Sequence, residues 1–261
     1  MRRHARLLWL FWRTSLASEL EYRLNFLLAV LSSLGHLAGN LFGLSLFYTG
    51  AGSLGGWPFH QALLVMGLFT MLQGMSRVLL TPNLQRIIEH VRTGTLDFVL
   101  LKPIDTQLWL STRRISPWGL PDVLCGFGMV AFAAVRLGLP LSQLALAAGP
   151  FVLSAIIQYS LWFLLASIAI WYVKVHNITE VLNGLLAAGR YPIDALPAGA
   201  YRFVFTFVVP VALLTTVPAR VALGQSAARW LLFSAAFALG AFVVSRAFWR
   251  YALRYYTSAS S

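Results

Sequence analysis

The residues equipped for chemistry are few and scattered. His4, His36, His60, His90 and His176 fall in five separate segments, with no pair at i and i+4 and no carboxylates clustered beside them. A metal centre needs three or four such ligands converging on one point, so no metal ligand is expected. Cys125, the only cysteine, sits in an apolar stretch and reads as a small core residue; alone it excludes an intramolecular disulfide. No Gly-x-Ser-x-Gly occurs to present a nucleophilic serine. The only lysines, Lys102 and Lys174, follow no glycine-rich run, and Gly-x-x-x-x-Gly-Lys-Ser/Thr is absent. That loop and its lysine are what cradle nucleotide phosphates, so the expectation is no catalytic residue, no cofactor-binding residue and no enzyme activity in this chain. Two ionisable residues remain conspicuous because their surroundings are apolar: Arg77 and Asp122.

The elements that hold these residues follow from composition. Apolar residues make up 59% of the 261, charged ones only 11%, and the mean hydropathy is +0.73, which excludes an ordinary soluble domain. A membrane-crossing helix takes ~20 apolar residues. Stretches of that kind predict an all-α polytopic membrane protein with six transmembrane helices, at 24–48, 59–80, 118–138, 145–173, 203–217 and 229–249. The first 23 residues carry Arg2, Arg3, Arg6 and Arg13 between Leu7, Trp9, Leu10 and Trp12. The apolar run is too short for a cleaved signal, and the pattern suits either an amphipathic helix lying in the headgroup plane or a basic flanking tail. The domain division is therefore 1–23, an interfacial segment, and 24–261, the six-span domain.

Lys and Arg sort onto the two sides unequally. With these spans, seventeen lie on the side of the termini and three, Arg136, Arg220 and Arg229, on the other. Cytoplasmic loops hold the basic excess, so both termini are expected in the cytoplasm of a cell inner (plasma) membrane. The same bias accounts for the net charge of +12 without a nucleic-acid partner. In this frame an intramembrane ionisable group is a functional hypothesis by default. Asp122, beside Pro121, is the better candidate for drawing a cationic substrate into a translocation path; the competing reading has Asp122 and Arg77 snorkelling or pairing locally.

The longest polar interval, 81–117, contains RTGTLDFVLLKPID at 92–105. Thr81-Pro82 reads as a helix start and Gly94 as its stop. Between them Leu84, Ile87, Ile88 and Val91 recur at helical spacing, forming an amphipathic helix outside the bilayer. Leu96, Phe98, Val99, Leu100 and Leu101 then make an apolar knob ended by Lys102-Pro103. Apolar clusters bounded by charge mark docking surfaces; the alternative is that the segment packs beneath the protein's own helices or lies on headgroups.

The knob resembles the cytosolic loop of permease subunits of type-2 ATP-binding-cassette exporters, in a six-span group with the pattern Gly-x-Leu-Asp-x-x-Leu-Leu-Lys/Arg-Pro. The matching residues are Gly94, Leu96, Asp97, Leu100, Leu101, Lys102 and Pro103. GRYPIDALP at 189–197 and Pro210, Pro218, Ala219 and Gly224 extend the resemblance over most of the chain. It implies that the helix at 82–93 and the knob form a cytosolic coupling helix seated on a separate ATPase subunit, where ATP and magnesium bind. It also implies a second permease copy, or a related one, with the first and fifth spans near the interface.

Gly35, Gly39 and Gly43 form a small-xxx-small stripe on that first span, suited to close helix approach and so to a subunit interface. Pro210 interrupts the fifth span and Pro218 ends it, which makes both tentative members of the translocation path. The function expected is export of a hydrophobic or amphipathic substrate. A channel or secondary carrier needing no ATPase, and a membrane anchor or assembly protein, are the rivals.

Overall fold

The computed structural model describes residues 23–50, 52–172, 176–225 and 228–256. The interfacial segment expected over 1–23 lies outside the described residues except for Arg23. Among the described residues the regular structure is helical, with one isolated bridge between Leu54 and Trp57.

The first crossing is α1 (Arg23–Gly50). The second, α2 (Phe59–Met75), passes through a π-helical turn, Ser76–Leu80, into α3 (Thr81–Thr93). This corrects the expected helix start at Thr81: the cap residue is Leu80, with no side-chain cap, and Phe59–Thr93 is one 35-residue helix. Pro82 lacks the N–H an α-helical ladder needs, and the wider turn just before it lets the helix continue past it. At 1.5 Å per residue the helix is about 50 Å long, so α3 stands beyond the ~30 Å hydrocarbon layer.

The knob follows as α4 (Asp97–Leu100) and α5 (Thr106–Thr112). The chain returns through α6 (Leu120–Leu137) and α7 (Leu141–Ile168), and the last crossing is α11 (Ala228–Ala252). α2 and α6 run antiparallel with their backbones nearly touching. A Cβ on Gly74 would lie 2.6 Å from the Val123 nitrogen, and one on Gly126 2.6 Å from the Met71 nitrogen. The molecule thus has two ends. One carries the 51–58 and 138–140 turns; the other carries the knob, the start of α1 and the end of α11.

The fifth crossing is where sequence and structure part. The expected span at 203–217 is a bent pair, Ala200–Val208 and Ala212–Ala222, meeting at 69°. It contains α9 (Ala200–Phe203) and α10 (Val217–Ala222), flanked by π-helical turns. Both of its ends lie at the end of the molecule away from the knob. Arg202 donates to the Asp194 and Leu196 carbonyls at 3.0 Å, and Arg220 pairs with the Asp194 carboxylate at 2.6 Å. Asp194 in turn accepts from the Trp57 indole at 2.9 Å, in the 51–58 turn. Leu213, near the bend, sits at mid-depth: the Ser154 hydroxyl lies 2.8 Å from both its carbonyl and that of Pro150. The pair therefore dips into the membrane and returns. Pro218 does not end the helix, which runs on to Ala222; Pro210 supplies the bend.

The crossing itself is α8 (His176–Leu186), a 3-10 turn, Ala187–Arg190, and the GRYPIDALP backbone. Irregular backbone at membrane depth survives only where protein satisfies it. Here Thr215 donates to the Gly189 carbonyl at 2.8 Å, and Thr216 accepts from the Ile193 N–H at 3.1 Å. The count of crossings stays at six, and both described termini stay at the knob end.

Candidate functional site

The knob is built by an abrupt stop. Gly94 adopts φ 72, a left-handed conformation open to glycine without a Cβ clash, and turns the chain so that the Leu96 N–H bonds back to the His90 carbonyl at 3.2 Å. Asp105 caps α5 through the Leu108 N–H at 3.0 Å and pairs with Arg246 of α11. That guanidinium holds the Asp105 carboxyl below its usual range, against a smaller opposing effect of burial. Lys102 lies over the Trp109 ring, 3.9 Å from its centroid. The segment is thus fastened to both α3 and α11.

Burial divides the residues expected to dock. Leu84, Ile87 and Leu96 are buried, with Val99, against Phe163 of α7 and Trp249 of α11; Ile88 is buried beside Ala169, and Val91 is half-buried on the same cluster. They brace this lever-like segment from inside the chain's own core. Phe98 at 68% exposure and Leu101 at 81% point outward, with Leu100 and Pro103 also exposed. Gly94, Asp97 and Lys102 are partly buried.

Above the lever lies a polar cavity of about 420 Å³. His36 and Asn40 of α1 line one wall. Gln73, Ser76 and Arg77 of the long second helix line another, with Asp122 of α6, while Glu180, Asn183 and Arg190 come from the fifth crossing. Thr81, Gln85 and Ile88 mark its mouth at the knob end. At the other end Gly189 is pressed under Val211 and Phe69; a Cβ there would meet them at 3.1 and 3.3 Å. The bent pair, latched to the 51–58 turn through Asp194, Arg220 and Trp57, closes this end. The lining of the cavity therefore runs from the knob end to Arg190.

Asp122 does line the cavity, but it is not a free acid. It is 5% exposed and paired with Arg77, the local pairing that the sequence allowed. The glycine stripe splits: a Cβ on Gly43 would lie 3.8 Å from the Tyr191 hydroxyl of the same chain, whereas nothing lies within 4 Å of a Cβ on Gly35 or Gly39. Pro210 and Pro218 lie in the closing pair and do not line the cavity. Among the described residues no cluster of metal-ligating side chains occurs.

The cavity's polar lining escaped the sequence reading, although a signal was present. Glu180, Asn183 and Arg190 lie at i, i+3 and i+10, one face of a helix.

Comparison with known proteins adds one match. Residues 34–260 match the family described as ABC-2 family transporter protein, and no curated protein or solved structure matches the chain.

Proposed function

The chain belongs to the ABC-2 transporter family, and is thus a multi-pass membrane permease; from that premise we propose that it is the transmembrane subunit of an ATP-driven exporter. The energy comes from ATP, held with magnesium on a separate ATPase subunit that seats against Phe98, Leu100, Leu101 and Pro103. The knob end faces the cytoplasm of the plasma membrane. Moving Arg202 to the opposite side and Arg190 to mid-depth changes the basic tally to fifteen against four, and the bias keeps its sign. A second permease copy packs along α1, where Gly35 and Gly39 leave room.

The observation that carries this reading is the knob's two-sidedness. Its outer side is apolar and uncovered, while its inner side is cored into α3, α7 and α11. A push from a partner is transmitted directly to helices that line the cavity mouth. A knob that merely rested on lipid would need no such bracing.

The reading is tested by extracting the chain from its native membrane in mild detergent and identifying by mass spectrometry what stays bound. A stoichiometric protein with a phosphate-binding loop is expected. A pure homo-oligomer, repeatedly, overturns the proposal in favour of a channel or carrier.

A further inference from the structure

The cavity's chemistry points to a class of ligand. Its acids and bases are unevenly paired. Arg77 and Asp122 neutralise each other. Arg190, at the far end from the knob, lies over the Phe69 ring, its guanidinium carbon 5.8 Å from the centroid, and its Nε is buried with no hydrogen-bond partner among the described residues. Glu180, the other acid on the wall, is ten residues away along the crossing, about 15 Å, too far to serve. A cation at this depth is costly unless something complements it, and nothing among the described residues does so.

The backbone at Arg190 is held in place. Its neighbour Gly189 is held under Val211 and Phe69 by the close packing described above, and the Gly189 carbonyl is held by Thr215. A guanidinium presents a planar fork of donors that matches a carboxylate or phosphate through two parallel hydrogen bonds. Around it the walls mix amides with apolar surface, Asn40 and Gln73 beside Phe69 and Trp162. A small ionic solute would leave that apolar surface wet, whereas a molecule with an anionic head and an apolar body satisfies both.

We infer that the cavity binds an amphiphile whose carboxylate or phosphate head seats on Arg190. The inference rests on the exporter reading for its meaning as a transport step. Its test needs neither ATP nor a partner, so the two fail separately.

The experiment uses the full chain in phosphatidylcholine nanodiscs, titrated with dansyl-labelled undecanoate and with its methyl ester. Arg190→Gln is expected to weaken binding of the acid by about tenfold or more, the loss of one charge-assisted contact. Arg190→Lys should restore part of it, and the ester should bind weakly to every form. Equal binding of acid by wild type and Arg190→Gln, or of acid and ester by wild type, overturns the inference. The wild-type comparison stands even if a variant fails to fold. Adding phosphatidylglycerol to the discs separates two sources of the head: competition assigns it to a bilayer lipid, and its absence to a soluble amphiphile.

Discussion

Leu101→Asp is expected to abolish recovery of the proposed ATPase subunit while leaving the permease inserted and folded. Leu101 is 81% exposed and Phe98, beside it, 68%, so a charge at Leu101 disturbs no packing within the chain. At the centre of an interface the same change buries an unpaired carboxylate and removes an apolar anchor. Hot-spot losses of that kind run to about 2 kcal/mol or more, roughly thirtyfold or greater in affinity. Co-purification with a tagged permease measures the effect. The contrast is Leu96→Asp, five residues away on the same knob, which is fully buried against the core; it should remove the permease itself from the membrane fraction. If Leu101→Asp retains its partner at wild-type stoichiometry, the docking face lies elsewhere.

Gly126→Val carries the largest expected cost to the fold. A Cβ at Gly126 would stand 2.6 Å from the Met71 nitrogen and 2.7 Å from the Gly67 oxygen, both backbone atoms. Backbone cannot swing aside as a flexible side chain can, so α2 and α6 must separate along their length. Overpacking costs about 1–3 kcal/mol where a core can adjust, and this contact sits at the upper limit or beyond. Thermal unfolding of the detergent-extracted chain should fall sharply, or folded protein should be lost. Gly39→Leu is the informative comparison, since nothing within the chain approaches it. That variant should unfold like wild type and show weakened dimer recovery.

These two predictions show what the sequence could and could not convey. Five of the six crossings and the knob were legible because apolar length and a Gly-to-Pro punctuated interval are local signals. The fifth crossing was not, because hydropathy reports burial and not direction. The re-entrant residues Val211–Ala219 are buried and mostly apolar, whereas the true crossing is a short helix carrying Glu180 and Asn183, followed by a 3-10 turn with Arg190 and then Pro192. A polar wall facing a cavity looks, along the chain, like a loop.

Glycine spacing was legible only in part. Gly35, Gly39 and Gly43 match a familiar four-residue stripe, yet the tightest approach within the chain uses Gly67 with Gly74 and Gly119 with Gly126, each pair seven apart. Two helical turns separate the members of each pair, so the face is the same but the pattern is harder to see. Amphipathicity in α3 likewise told which face would be covered and not what would cover it. Leu84 and Ile87 turned out to serve the chain's own core.

The account's central claim is that force on the knob changes access to the cavity. The most direct measurement places a single cysteine at Gln73, on the cavity wall, in a Cys125→Ser background, within the complex in membrane vesicles. A water-soluble maleimide supplied from the knob side should react readily without nucleotide. Trapping the ATPase with ADP and vanadate should slow that reaction at least several-fold, and a Leu101→Asp permease should ignore the trap. A rate that is the same with and without trapping would contradict the coupling of knob to cavity on which the account depends.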